Sequence, residues 1–104
     1  MNNEVKETEL VKVSGGYKTT FRTAEPTTTP QVDEVYSKGR YGPTMACVVH
    51  AVYNENGQDI VEMTKGVLDS EDEYSLNYVF KDLSSYRSHM TLTDFVDNFE
   101  YHWM

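Results

Sequence analysis

The chain has 104 residues, a formal net charge of −8, 38% hydrophobic and 25% charged residues, and one cysteine. This is the length of one domain with a modest core, and the composition predicts a folded soluble domain rather than disorder. The acidity argues against direct contact with nucleic-acid phosphates or anionic membranes, and a lone Cys47 excludes an internal disulfide. No apolar run approaches the length needed to cross a bilayer, and there is no charged-then-apolar secretory signal.

The first sixteen residues, MNNEVKETELVKVSGG, place Val5, Glu9, Leu10 and Val13 ahead of the pair Gly15-Gly16. Leu10 and Val13 are three apart and share a helical face. Two residues without a Cβ let an extended backbone enter a narrow cleft. The segment resembles the double-glycine leader of peptides exported by bacterial ABC transporters that carry a cysteine-protease domain. The resemblance implies recognition of Val5, Glu9, Leu10 and Val13, cleavage after Gly16, synthesis in a bacterial cytoplasm and export after leader removal. Residues 1–16 would then be the leader and 17–104 a single folded domain. The same residues also read as a β-hairpin: Glu9–Val13 as one strand, Ser14-Gly15-Gly16 as the turn and Tyr17–Thr23 as the returning strand. The leader carries only about −1 of the net charge, so the acidity belongs to the remainder.

Residues Ala24–Thr29 read as an extended linker, with Pro26 disfavouring helix before it. A short helix is expected next. Thr29 can cap it, Pro30 suits its first position, Asp33 and Glu34 suit its positive end, Val32, Val35 and Tyr36 form a stripe, and Gly39 stops it. Arg40-Tyr41-Gly42-Pro43 forms an exposed connector. Thr44–Tyr53 is the most strand-like run, apolar on both faces and hence central. Asn54–Gly57 is a turn and Gln58–Lys65 the hairpin partner. Gly66–Glu73 reads as an acidic turn and Tyr74–Phe80 as a half-buried strand. Asp82–Met90 reads as a polar loop. A final helix, capped by Thr91 or Thr93, carries Phe95, Phe99 and Trp103 as one aromatic stripe. The expected fold is therefore α+β: a small antiparallel sheet of three to four strands, a short helix before it and a C-terminal helix packed across it.

The tripeptide Arg40-Tyr41-Gly42, followed by Pro43-Thr44, resembles the X-Tyr-Gly site of spliceotide precursors, the substrates of radical S-adenosylmethionine enzymes. The resemblance implies excision of a tyramine unit from Tyr41, leaving an α-keto-β-amino residue at Arg40. An α-ketoamide carbonyl is electrophilic, and a protease nucleophile that attacks it places an oxyanion in the oxyanion hole. The implied product is a protease inhibitor, and Arg40 would select an acidic specificity pocket. The other reading of the tripeptide is a helix-stop loop with Tyr41 packed on the sheet.

No other cluster points to catalysis, and the chain is not expected to be an enzyme or to need a cofactor. His50, His89 and His102 fall at no metal-ligand spacing, so no metal site is expected. The run Asp69–Glu73 lacks the spacing and glycine of an EF-hand loop. Ser84, Ser85 and Ser88 adjoin no histidine–acid pair legible in sequence, and Cys47 reads as a buried thiol. Two function classes follow. In the first, the chain is a leader-directed precursor whose partners are the peptidase-domain transporter and a radical S-adenosylmethionine maturase. In the second, it is an unprocessed acidic inhibitor, such as an immunity protein, a phage-encoded anti-defence protein or a nucleic-acid mimic. Asp69–Glu73, Asp94, Asp97 and Glu100 would then face a basic protein partner. Neither class involves direct nucleic-acid binding or membrane insertion.

Overall fold

The computed structural model describes residues 20–70 and 77–104. Within them lie β1 (Ala24–Pro26), β2 (Val35–Ser37), β3 (Thr44–Glu55), β4 (Gln58–Ser70), β5 (Tyr78–Lys81), β6 (Ser88–Thr91), helix α1 (Leu92–Asn98) and β7 (Tyr101–Trp103). The small α+β arrangement expected from the sequence is overturned. Seven antiparallel strands form one curled half-barrel sheet in the order β1-β7-β2-β3-β4-β5, with β6 pairing beside β5 on β4 and one short helix accompanying them.

The β3–β4 hairpin is the spine. Alternation along β3 sends Ala46 and Val48 into one buried cluster and Cys47 and Val49 into another, so the strand is buried on both faces as its sequence requires. Its two-residue turn, Asn56-Gly57, has φ of 54° and 86°, the left-handed pair of a type I′ hairpin. A register shift between Val49 and Ala51 bulges the strand at His50, and such bulges increase local twist. β4 runs on to Ser70, so the first half of the expected acidic turn at Gly66–Glu73 is strand; residues 71–73 lie outside the described residues.

One face packs Val35, Ala46, Val48, Leu68 and Trp103 around Phe21. Here Tyr78 of β5 and Trp103 of β7 meet with ring centroids 4.7 Å apart although four steps separate their strands, so this face is the concave one. Phe21 and Tyr78 exchange two backbone hydrogen bonds of 2.8 Å, while Arg22 and Thr23 bond to Met104. The chain entering β1 thereby ties β5 to β7 across the open side of the half-barrel. The opposite face packs Tyr36, Cys47, Val49, Val61 and Met63 under Phe95 and Phe99. Fully burying each such side chain contributes on the order of 1.5–3 kcal/mol.

Both expected helices are corrected. Around Val32–Lys38 a single turn bond, from Glu34 N–H to Gln31 O, is followed by pairing with β3: Asp33 N–H donates to Val49 O, and Val49 N–H to Glu34 O. Asp33 adopts φ of 70°, which interrupts a helix, and the three residues of β2 are all buried between β3 and β7. The final helix begins as expected, with the Thr91 hydroxyl accepting from Asp94 N–H, but ends at Asn98. Phe95 and Phe99 share its buried side. Trp103 instead lies on β7 and reaches the opposite, concave face. The expected loop at Asp82–Met90 becomes strand at Ser88, where β6 completes the β4 edge, and the linker at Ala24–Thr29 contains β1.

Candidate functional site

The segment from Lys38 to Pro43 joins two strands adjacent in the sheet and is fixed at its base by short polar contacts. Ser37 Oγ–H donates to Gly39 O at 2.5 Å, and Gly39 N–H donates to Thr44 Oγ1 at 2.7 Å. Lys38 N–H donates to Met45 O at 2.8 Å. Gly42, with φ of 68°, turns the chain where a Cβ would be strained. Arg40 and Tyr41 are presented outward at the apex, and Tyr41 is 80% exposed. The alternative in which Tyr41 packs against the sheet is therefore corrected.

The Arg40 guanidinium carbon lies 5.8 Å from the Tyr41 ring centroid and 5.9 Å from that of Tyr101. At such an exposed site each cation–π contact contributes about 0.5–1 kcal/mol. Tyr101 is held by packing against the concave core and by pairing of its strand with Ser37. It extends the loop on the concave side, a neighbour that sequence reasoning missed, whereas Met45, 49% exposed at the start of β3, alternates to the opposite face. Tyr101 is remote from Arg40 in the chain, and only the β2–β7 register, which pairs it with Ser37, brings them together.

Of the other sequence-predicted site residues, Val5, Glu9, Leu10, Val13, Gly15 and Gly16 lie outside the described residues, as does most of the hairpin alternative. Arg40, Tyr41 and Gly42 are brought together by contiguity alone. Asp94, Asp97 and Glu100 are exposed on and just after α1, whereas Asp69 lies on β4 with its carboxylate 3.9 Å from Lys81.

The remaining polar groups serve structure. His50 Nε2 lies 2.6 Å from the hydroxyl of the fully buried Thr64. His102 stacks on Tyr36 with centroids 4.6 Å apart and meets Glu34 Oε1 at 3.0 Å. Burial pushes the Cys47 thiol pKa well above its ordinary value, against smaller lowering by a backbone hydrogen bond at Tyr36 and by the Lys65 charge. Among the described residues no three histidine, cysteine or carboxylate groups converge as metal ligands. A cleft of about 260 Å³ opens between Gly57–Asp59 and Thr91–Thr93, at the end of β3 away from Arg40. No helix among the described residues is long and apolar enough to cross a membrane. No family model, curated protein or solved structure matches the chain at a significant level.

Proposed function

We propose that the chain is a leader-directed precursor protein whose β2–β3 loop presents Arg40-Tyr41-Gly42 to a maturation enzyme. The observation that carries this reading is the 80% exposure of Tyr41 on a loop whose base is fixed by Ser37 and Thr44. An enzyme acting on the tyrosine can reach it without unfolding the sheet. Excision of tyramine removes the nitrogen, α-carbon and side chain of Tyr41 and keeps its carbonyl, so the connection shortens by less than one residue. Gly42 is free to readjust, and the contacts at Ser37, Gly39 and Thr44 lie outside the excised atoms. The resulting α-ketoamide after Arg40 would be held out to a protease nucleophile by a loop already ordered, which lowers the cost of binding. Cleavage after Gly16 belongs to the same reading, since every strong strand and helix signal in the sequence lies beyond it.

The test is the intact mass of protein isolated from its native producer. The expected result is loss of residues 1–16 together with a further loss of about 135 Da, the tyramine portion of one tyrosine. Tyr41→Ala should abolish the second loss and leave the first. An intact, unmodified chain overturns the precursor reading.

A second reading is favoured by the exposure of Asp94, Asp97 and Glu100, with the partly exposed Val96 among them. A short acidic helix with an apolar residue suits docking on a basic protein surface. It becomes the better account if the native protein carries no modification.

A further inference from the structure

β3 is longer than the strand beside it. Its pairing with β2 covers Ala46, Cys47 and Val48 and ends at Val49, whose N–H and C=O bond to Glu34 and Asp33. There Asp33, with φ of 70°, turns the chain away, and the bulge at His50 bends β3. Over residues 51–55 the strand has β4 on one side and, among the described residues, no strand on the other. The register fixes which main-chain groups point to that open side. Glu55 and Gln58 flank the two-residue turn as a hydrogen-bonded pair, and alternation makes Tyr53 and Ile60 another. Val52 and Asn54 therefore turn their N–H and C=O outward, and among the described residues nothing bonds to these groups. Proteins blunt such edges with lysine, proline or other charge. The edge of β1 carries Glu25 and Pro26, whereas Ala51-Val52-Tyr53-Asn54 has neither charge nor proline, and Val52 and Tyr53 are both exposed.

We propose that this edge pairs with the same edge of a second copy of the chain, forming an antiparallel dimer whose two-fold axis passes beside Tyr53. In that register Val52 faces Asn54 of the second copy and Asn54 faces its Val52, so every outward N–H meets an outward C=O. Tyr53 stands opposite its own counterpart in the close, non-hydrogen-bonded position, where an aromatic pair is favourable. Ala51 lies opposite Glu55 of the second copy, so no like charges are set face to face. This match selects the occupant: one uncharged segment is its own complement in a single register, and the two-fold axis closes the assembly at a dimer. The contact is small and each copy carries a net charge of −8, so the dimer is weak and tightens as salt screens the repulsion. Thr44, at the other end of β3, lies about 30 Å along the strand from Tyr53, so both Arg40-Tyr41 loops stay clear of the contact. The dimer does not rest on the precursor reading.

The experiment is sedimentation velocity on the full chain from micromolar to millimolar concentration. The expected result is a reversible monomer–dimer equilibrium that shifts toward dimer as sodium chloride is added. Val52→Pro removes an outward N–H but no bond to β4, and should weaken dimerisation about tenfold or more. Tyr53 supplies a test free of backbone change. Tyr53→Lys and Tyr53→Glu should each be monomeric alone, because like charges meet across the axis, and should form a mixed dimer when combined. Tyr86→Lys, on a separate exposed loop, should dimerise as the parent does. Equal unfolding midpoints for Tyr53→Lys and the parent at low concentration separate lost pairing from lost folding. A full chain that is monomeric throughout, growth beyond a dimer, or a Tyr53 mixture no more dimeric than its components overturns the proposal. So does dimerisation that appears only on deleting residues 1–16, which would assign the edge to the N-terminal segment. The precursor reading is decided by mass alone, so neither failure implies the other.

Discussion

The indole of Trp103 donates its Nε1–H to Ser37 Oγ at 2.7 Å in the buried interior, and the same hydroxyl donates onward to Gly39 O. One serine thus joins the concave core to the base of the exposed loop. Ser37→Ala leaves the buried indole N–H unpaired and frees Gly39 O. The expected cost is about 1–3 kcal/mol in a urea titration, with faster hydrogen exchange in the Lys38–Thr44 backbone. Unchanged stability would show that the relay is not the link between core and loop.

Phe99→Ala should cost on the order of 3–5 kcal/mol. Phe99 is fully buried, with its ring 5.1 Å from Phe95, and the residue closes α1 through its N–H to Phe95 O. Val96→Ala, on the partly exposed side of the same helix, should change stability by only about 0.5 kcal/mol. Paired thermal melts of the two variants check the orientation of the helix.

Deleting residues 1–16 should leave the unfolding transition cooperative and nearly unmoved, because every strong strand and helix signal in the sequence lies after Gly16. Phe21→Ala in the full chain should cost about 3–5 kcal/mol, since it empties a site between β5 and β7. An unfolded truncation product would show that the removed segment belongs to the fold and would count against cleavage after Gly16.

Stability should fall in alkaline solution. Burial raises the Cys47 thiol well above its ordinary pKa, so above about pH 8.5 the folded chain keeps a proton that the unfolded chain releases. The contribution is fully present below that pH and is lost as pH rises toward the folded-state value. Tyr36 has the same sign, its hydroxyl raised chiefly by burial, and acts above about pH 10. Urea midpoints between about pH 7.5 and 9.5 should therefore decline more steeply for the parent chain than for Cys47→Ala. The native thiol should also resist alkylation until the protein unfolds.

What the sequence revealed was local. The β3–β4 hairpin was legible because β-branched runs flank an Asn-Gly turn. The start of α1 was legible because Thr91 caps it, and the pair Phe95/Phe99 because four residues bring side chains to one helical side. β2 was not legible: Val32, Val35 and Tyr36 are spaced as a helix would space them, and only pairing with β3 and β7 makes the segment extended. Trp103 misled for the same reason. Its spacing continues the Phe95/Phe99 series, but the chain turns after Phe99 so that the indole can reach Ser37. The loop at Arg40-Tyr41-Gly42 was expected to be exposed and is. Its companion Tyr101 could not be foreseen, because a sheet register, rather than any local pattern, places it there.

The position of β7 between β1 and β2 has a consequence for the order of events during synthesis. β1, β2 and β3 can all have emerged while the strand that joins β1 to β2 is still unmade, and the sheet cannot be completed until residue 103 has been translated. Pairings this distant along the chain form slowly, because loop closure must precede the contacts that reward it. For most of its translation the nascent chain therefore exposes an incomplete sheet. An enzyme or chaperone that engages residues near the N-terminus at that stage meets a chain whose loop is not yet anchored by Ser37 and Trp103.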